Sequence, residues 1–124
     1  MNKNSSLYEN YINDLRIFSK QQNETRFVAC QLLRMHSEVS KREAPLILEL
    51  GVDRGQSTKV FLNAIHDKAA SHLISVDIRD CSNVSDSSLW TFVKMDSSNV
   101  KGILKEVPIL KEGIDVIYID SLHT

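Results

Sequence analysis

Leu46-Ile47-Leu48-Glu49-Leu50-Gly51-Val52-Asp53-Arg54-Gly55-Gln56-Ser57-Thr58 is the stretch on which the fold of this chain turns. Its first five residues make a short, nearly continuous apolar run that stops at a glycine, the pattern of a strand covered on both faces. Ser57 to Ala70 follows with Val60, Phe61, Ala64, Ile65 and Ala69 at helical spacing, so strand, tight turn and helix succeed one another. The whole chain holds four glycines, and two of them, Gly51 and Gly55, stand in this one turn. A plain strand-to-helix turn needs only one glycine, so the pair points to a backbone that a ligand approaches closely. The helix start offers unpaired N–H groups and a positive dipole end, a place for an anionic or polar ligand group. The spacing is G-x-x-x-G and not the G-x-G-x-x-G of dinucleotide folds. The glycine that admits a pyrophosphate is missing, and a ligand without one fits better. Glu49 is an acid inside an apolar strand, a costly position unless its carboxylate has partners.

Further along, His72 to Asp77 reads as a second strand, Trp90 to Met95 as a third and Asp115 to Asp120 as a fourth. Asp80 to Ser88, rich in Ser and Asp, is a loop. Between the last two strands, a helix containing Val100, Ile103, Leu104 and Val107 is capped by Ser97 or Ser98 and stopped by Pro108. Upstream, Ser6-Leu7-Tyr8-Glu9 has the form of a capping box. Leu7, Tyr8, Tyr11, Ile12, Leu15 and Phe18 then predict a helix of about four turns. A second helix, from about Glu24 to Ser40, presents Phe27, Val28, Cys30, Leu32, Leu33 and Met35 on a wide apolar face. Residues 1–44 are thus a helical lead-in and residues 45–124 a unit of alternating strands and helices. The fold class is α/β, a Rossmann-like, mostly parallel sheet with helices on both faces. Ligands of such sheets bind at the carboxyl ends of the strands where the strand order reverses, which singles out Gly51 to Gly55, Asp77, Asp96 and Asp120.

The 15 Lys and Arg against 16 Asp and Glu leave a formal net charge of -1. That balance, with no basic run, argues against a nucleic-acid partner, whose phosphates demand a surplus of cations. No apolar stretch approaches the roughly 18 residues of a spanning helix, so no membrane partner is expected. The polar start Met1 to Ser6 lacks a secretory leader, which places the protein in the cytoplasm. The two cysteines, Cys30 and Cys81, form neither a disulfide framework nor a zinc ladder. His36, His66 and His72 show no ligand spacing and read as surface or helix-end residues.

Glu49 to Thr58 resembles the first motif, E-x-G-x-x-x-G-x-S-T, of class I S-adenosylmethionine-dependent methyltransferases. It is similar in form to small bacterial methyltransferases and the cephalosporin-hydroxylase-like group, and the resemblance runs in register over residues 46 to 124. It implies S-adenosyl-L-methionine as cofactor and a small-molecule methyl acceptor. Glu49 is then near the methionine amino group, Gly51, Gly55 and Ser57 belong to the cofactor loop, and Arg54 meets the methionine carboxylate. Asp77 accepts hydrogen bonds from both ribose hydroxyls, and Asp96-Ser97 lies beside the adenine. Read without the resemblance, Asp77 is a strand-end turn residue, Asp96 a helix N-cap and Arg54 a solvated loop cation. Asp120-Ser121-Leu122-His123 resembles the D-x-x-H segment of the same group, which implies Asp120 facing methyl donor and acceptor and His123 as general base. In relatives with catechol-like acceptors the aspartate binds a divalent metal. Oxygen ligands would favour magnesium or calcium over zinc, but the other ligands of such a site would have to come from later than Thr124, so a divalent metal is the minority reading and no metal-ligating residue is assigned.

The complete family domain has seven strands in the order 3-2-1-4-5-7-6, of which four are legible here, so the resemblance implies the N-terminal, cofactor-binding half. Strand four is then a hydrophobic sheet edge, expected to pair with strand four of a second copy in a homodimer. The expected function is methyl transfer from S-adenosylmethionine to a small molecule. The alternatives are a non-catalytic S-adenosylmethionine-binding fragment and a nucleotide- or NAD-binding Rossmann module. No G-x-S-x-G elbow or G-x-x-x-x-G-K-[ST] phosphate loop supports a hydrolase or kinase.

Overall fold

Alternation along β1 (Leu46–Leu50) organises the molecule, whose computed structural model describes residues 7–120. Ile47 and Glu49 face one side of the sheet and Leu48 the other, because successive side chains of a strand point to opposite faces. β1 pairs in parallel with β2 (His72–Asp77) on one side and with β4 (Val116–Ile119) on the other. β3 (Trp90–Lys94) adds in parallel to β2, giving the order β3-β2-β1-β4. Registers Leu48↔Ile74 and Leu48↔Ile117 put the three strands' apolar residues level with one another. The direction of travel reverses between β1 and β4, so the two strands splay a crevice at their carboxyl ends.

Helices cover both faces, as a parallel sheet requires. On one side α3 (Gln56–Ile65) presses Phe61, Leu62, Ala64 and Ile65 against Ile47 and Leu73. On the other, α4 (Val100–Glu106) and a 3-10 turn at Pro108–Glu112 bring Ile103, Val107 and Leu110 against Leu48, Ile74, Val76 and Val93. The lead-in helices α1 (Glu9–Phe18) and α2 (Thr25–Ser40) join the α3 side, where Ile12, Leu15, Ala29 and Leu32 share a cluster with Val60. A buried amide pins this layer: Asn63 of α3 donates to the Leu7 carbonyl and meets His36 Nε2 of α2 at 2.7 Å. The outer strand β4 leaves Ile117 and Ile119 exposed. No helix among the described residues is long and apolar enough to cross a membrane.

Four expectations from the sequence need correction. α1 spans ten residues and starts behind Tyr8 in a left-handed conformation with no side-chain cap, while Ser6 of the expected capping box lies outside the described residues. α3 ends at Ile65 and not near Ala70. There the N–H groups of Lys68 and Ser71 donate to Ile65 and Lys68 carbonyls, turning the chain back toward β2 and leaving Ala69 exposed. The cap of α4 is Asn99, whose side chain accepts from the Gly102 N–H at 3.0 Å; Ser98 is already bonded to Asp96. His36 and His72 are half-buried hydrogen-bond partners of Asn63 and Thr91, and only His66 sits at a helix end.

Phe61 is the largest of the fully buried side chains, and its ring meets Tyr118 edge-on at 5.7 Å, tying α3 to β4. Phe61→Ala is expected to cost about 3–5 kcal/mol of unfolding free energy in urea titration, through lost burial and the cavity left behind.

Candidate functional site

Between β1 and α3 the backbone takes a path that few residues allow. Gly51, Asp53 and Gly55 all lie at positive φ, 101°, 53° and 86°. A Cβ on Gly55 would stand 2.5 Å from Val84 Cγ1, so the turn also packs closely under the 80–88 loop. The expectation that one glycine suffices for the turn is therefore corrected. Its own shape uses both, and a left-handed aspartate besides.

Beneath this turn sits Glu49, with no exposed surface. Its Oε1 accepts from Thr58 Oγ1 at 2.7 Å and Ser75 Oγ at 2.6 Å, and its Oε2 accepts from Ser57 Oγ. Ser75 in turn accepts from the Trp90 indole N–H at 2.8 Å. Burial pushes the Glu49 carboxyl above its usual range; the three hydroxyls pull the other way, and the charge of Asp120 adds to the rise. The carboxylate thus staples the first turn of α3 to the middle of the sheet.

Asp77, at the end of β2, closes the turn from the other side. Its Oδ2 accepts from the Val52 and Asp53 N–H groups at 2.8 and 3.2 Å, and its Oδ1 from the Arg79 N–H at 2.9 Å. Burial alone would raise its pKa. The N–H groups of Arg79, Val52 and Asp53, with the Arg79 guanidinium, outweigh that and hold the carboxyl below its ordinary value. Arg79 also reaches Asp53 at 3.2 Å, bridging the β1–α3 turn and the end of β2. Asp96, after β3, is exposed and accepts from the Ser98 N–H and hydroxyl; Ser97 beside it is half-buried. Neither caps α4.

A cavity of about 70 Å³ opens where the strand order reverses, between the turn, the end of β4 and helix α2. At about 10–15 Å³ for each water-sized group, it has room for a short polar fragment. Arg54 lines it from the turn, Gln56 and Ser57 from the start of α3, Tyr118 and Asp120 from β4 and its end, and Val28, Gln31 and Leu32 from α2. It therefore brings Arg54, Ser57 and Asp120 together, while Glu49 lies one layer behind Ser57. Asp77, Asp96 and Ser97 stand at the neighbouring strand ends, outside the cavity lining. Burial, then the charges of Asp120 and Glu49, push the Tyr118 phenol upward. His123 lies outside the described residues. Among those described, no group of three or more His, Cys, Asp and Glu side chains is placed to hold a metal ion.

Sequence reasoning missed Thr58, Ser75, Trp90, Arg79 and the α2 wall. Ser75 is a small polar residue at a buried position of β2, and only the strand register, which sets it level with Glu49, brings the two together. Arg79 carried no signal, because an arginine in a polar loop is ordinarily solvated.

Because its folded pKa is lowered, Asp77 adds stability that is full above its unfolded value of about 4 and is lost as pH falls through the folded value. Asp77→Asn is expected to flatten that acid limb and to cost about 1–3 kcal/mol at neutral pH, because an amide nitrogen cannot accept the turn's N–H groups. Urea titrations between pH 2 and 7 read both effects.

A family model described as a methyltransferase domain matches residues 48–124, more than half of the chain, starting within β1 and taking in the turn, α3 and the other three strands. No curated protein matches the chain at a significant level. The matched span contains both the polar staple under the turn and the β1 and β4 sides of the cavity, and the chain belongs to the methyltransferase domain family.

Proposed function

We propose that this chain works in the cytoplasm, binding S-adenosyl-L-methionine along the carboxyl ends of β1, β2, β3 and β4 for methyl transfer to a small-molecule acceptor. The observation that carries this reading is the cavity at the reversal of strand order, where the start of α3, Arg54, Ser57 and Asp120 converge within a methyltransferase domain. The chemistry of these groups fits the cofactor. Arg54 and the N-terminal N–H groups of α3 suit a carboxylate, Ser57 and Asp120 suit an ammonium, and the acidic end of β4 suits a cationic sulfonium. Asp77 Oδ2 is filled by two backbone N–H groups, and Oδ1 accepts the Arg79 N–H with the Arg79 guanidinium 3.7 Å away. Holding both ribose hydroxyls there requires the turn to release one of its own bonds. Asp96 and Ser97 serve the adenine edge, and His123 serves as base toward the acceptor.

When bound, the cofactor supplies a methyl group on a sulfonium, already electrophilic. The protein's work is placement. The turn and α3 would hold the cofactor's amino-acid end, with α2 and β4 as the other walls of the cavity, and orientation of this kind contributes about 7–11 kcal/mol in favourable systems. Calorimetric titration with S-adenosylhomocysteine is expected to show saturable binding, and titration with NAD none. Failure of the first by the folded chain overturns the proposal, and binding of NAD instead favours a dinucleotide module.

We propose further that the exposed Ile117 and Ile119 edge of β4 pairs with the same edge of a second copy. Sedimentation velocity at tens of micromolar is expected to show a dimer, and Ile119→Lys a monomer; a wild-type monomer there refutes the pairing.

A further inference from the structure

Acceptor capacity at the end of β2 is already engaged by the chain itself. Asp77 Oδ2 accepts from the Val52 and Asp53 N–H groups, and Oδ1 from the Arg79 N–H at 2.9 Å. Beside Oδ1 stands the Arg79 guanidinium, with Nε 3.7 Å away and a terminal nitrogen donating to Asp53 Oδ1 at 3.2 Å. Asp53 also lines the cavity between the turn, α2 and β4. That cavity, at about 70 Å³, takes a short polar fragment and not a nucleoside. A cofactor with its amino-acid end there reaches Asp77 only by crossing the Asp53–Arg79 bridge. The main chain and side chain of Arg79 differ in how firmly they are held. The main chain is fixed by its own N–H on Asp77 and by the turn that follows, where Asp80 accepts from the Ser82 N–H and hydroxyl. The side chain is 65% exposed, and an exposed ion pair is weak and screened by salt, so the guanidinium can leave by rotation about its own bonds.

We propose that Arg79 is an autoinhibitory latch: with no ligand bound, its guanidinium takes the place beside Asp77 that the cofactor's ribose needs, and binding swings it out to solvent. The exchange is chemically matched, because a guanidinium offers donors alone and the ribose hydroxyls likewise turn their protons toward a carboxylate. Of the bonds at the turn, the one given up is then the side-chain bridge, while the N–H groups of Val52 and Asp53 stay on Asp77 and the turn keeps its shape. This rests on the S-adenosylmethionine reading above and names how the nucleoside end of that site is regulated. The latch holds the site in a lower-affinity state, and salt, which weakens the bridge, relieves it.

The test is calorimetric titration of the full chain with S-adenosylhomocysteine at about 20 mM and about 500 mM NaCl. At low salt Arg79→Ala is expected to bind about fivefold tighter than the wild type, the scale of one exposed ion pair, and the ratio of the two affinities should shrink toward one at high salt. Taking the ratio removes the effect of salt on the amino-acid end, which is common to both proteins. Asp53→Asn loosens the bridge from its other side and keeps a residue that tolerates the left-handed backbone at position 53, so it should tighten binding about twofold. The double variant should bind no tighter than Arg79→Ala, because both changes act through one contact. Merely structural damage to the turn would weaken binding, the opposite sign. Binding by Arg79→Ala that is weaker than, or equal to, that of the wild type at low salt overturns the latch while the cofactor reading stands. Absence of binding by the folded wild type overturns the cofactor reading, and this inference falls with it.

Discussion

One buried acidic side chain holds the working end of this molecule together. Glu49 lies in the middle strand of the sheet, and an unpartnered carboxylate there would be strongly destabilising. Three hydroxyls from two different elements answer it: Ser57 and Thr58 from α3 and Ser75 from β2. The first turn of α3 is thereby fixed relative to the strands, and with it the helix end and the cavity beside it. Asp77 performs the complementary task on the backbone, so that side-chain and main-chain donors of a single turn are gathered by two carboxylates on adjacent strands.

This division explains why a turn with three left-handed residues is tolerable. Strained backbone persists where its surroundings over-determine it. Here the surroundings are two carboxylates, the Val84 side chain above Gly55 and the Arg79 bridge to Asp53. The same network fixes Ser57, the side chain through which the polar cluster around Glu49 reaches the cavity.

The four strands were legible in the sequence to within a residue at each end, because short apolar runs between glycine and polar stretches have few other readings. Helix ends were less so. α3 stops at Ile65 because hydrogen bonds among Ile65, Lys68 and Ser71 reverse the chain, and alanines at 69 and 70 carry no pattern that announces it. Around the site, Glu49, Asp77 and Gly55 stood out as residues of unusual type for their positions. Ser75 and Trp90 did not, since a serine and an aromatic within strands are common, and only the level pairing of β1 with β2 brings Ser75 to Glu49. That the glycine turn would need both glycines for its own shape also lay beyond sequence, being a matter of φ and of the loop that passes above it.

The buried Asn63 amide has a kinetic side. It joins the start of α1 to α3 across 56 residues of chain, and its other end holds α2 through His36. Loop-closing entropy of that span must be met before the contact rewards it, so the two leading helices gain their stable seat only after α3 has formed. Until then the α1–α2 pair leaves its apolar face uncovered. Docking of that pair onto α3 also supplies the cavity with its α2 wall, so the site is complete only once the two leading helices are seated.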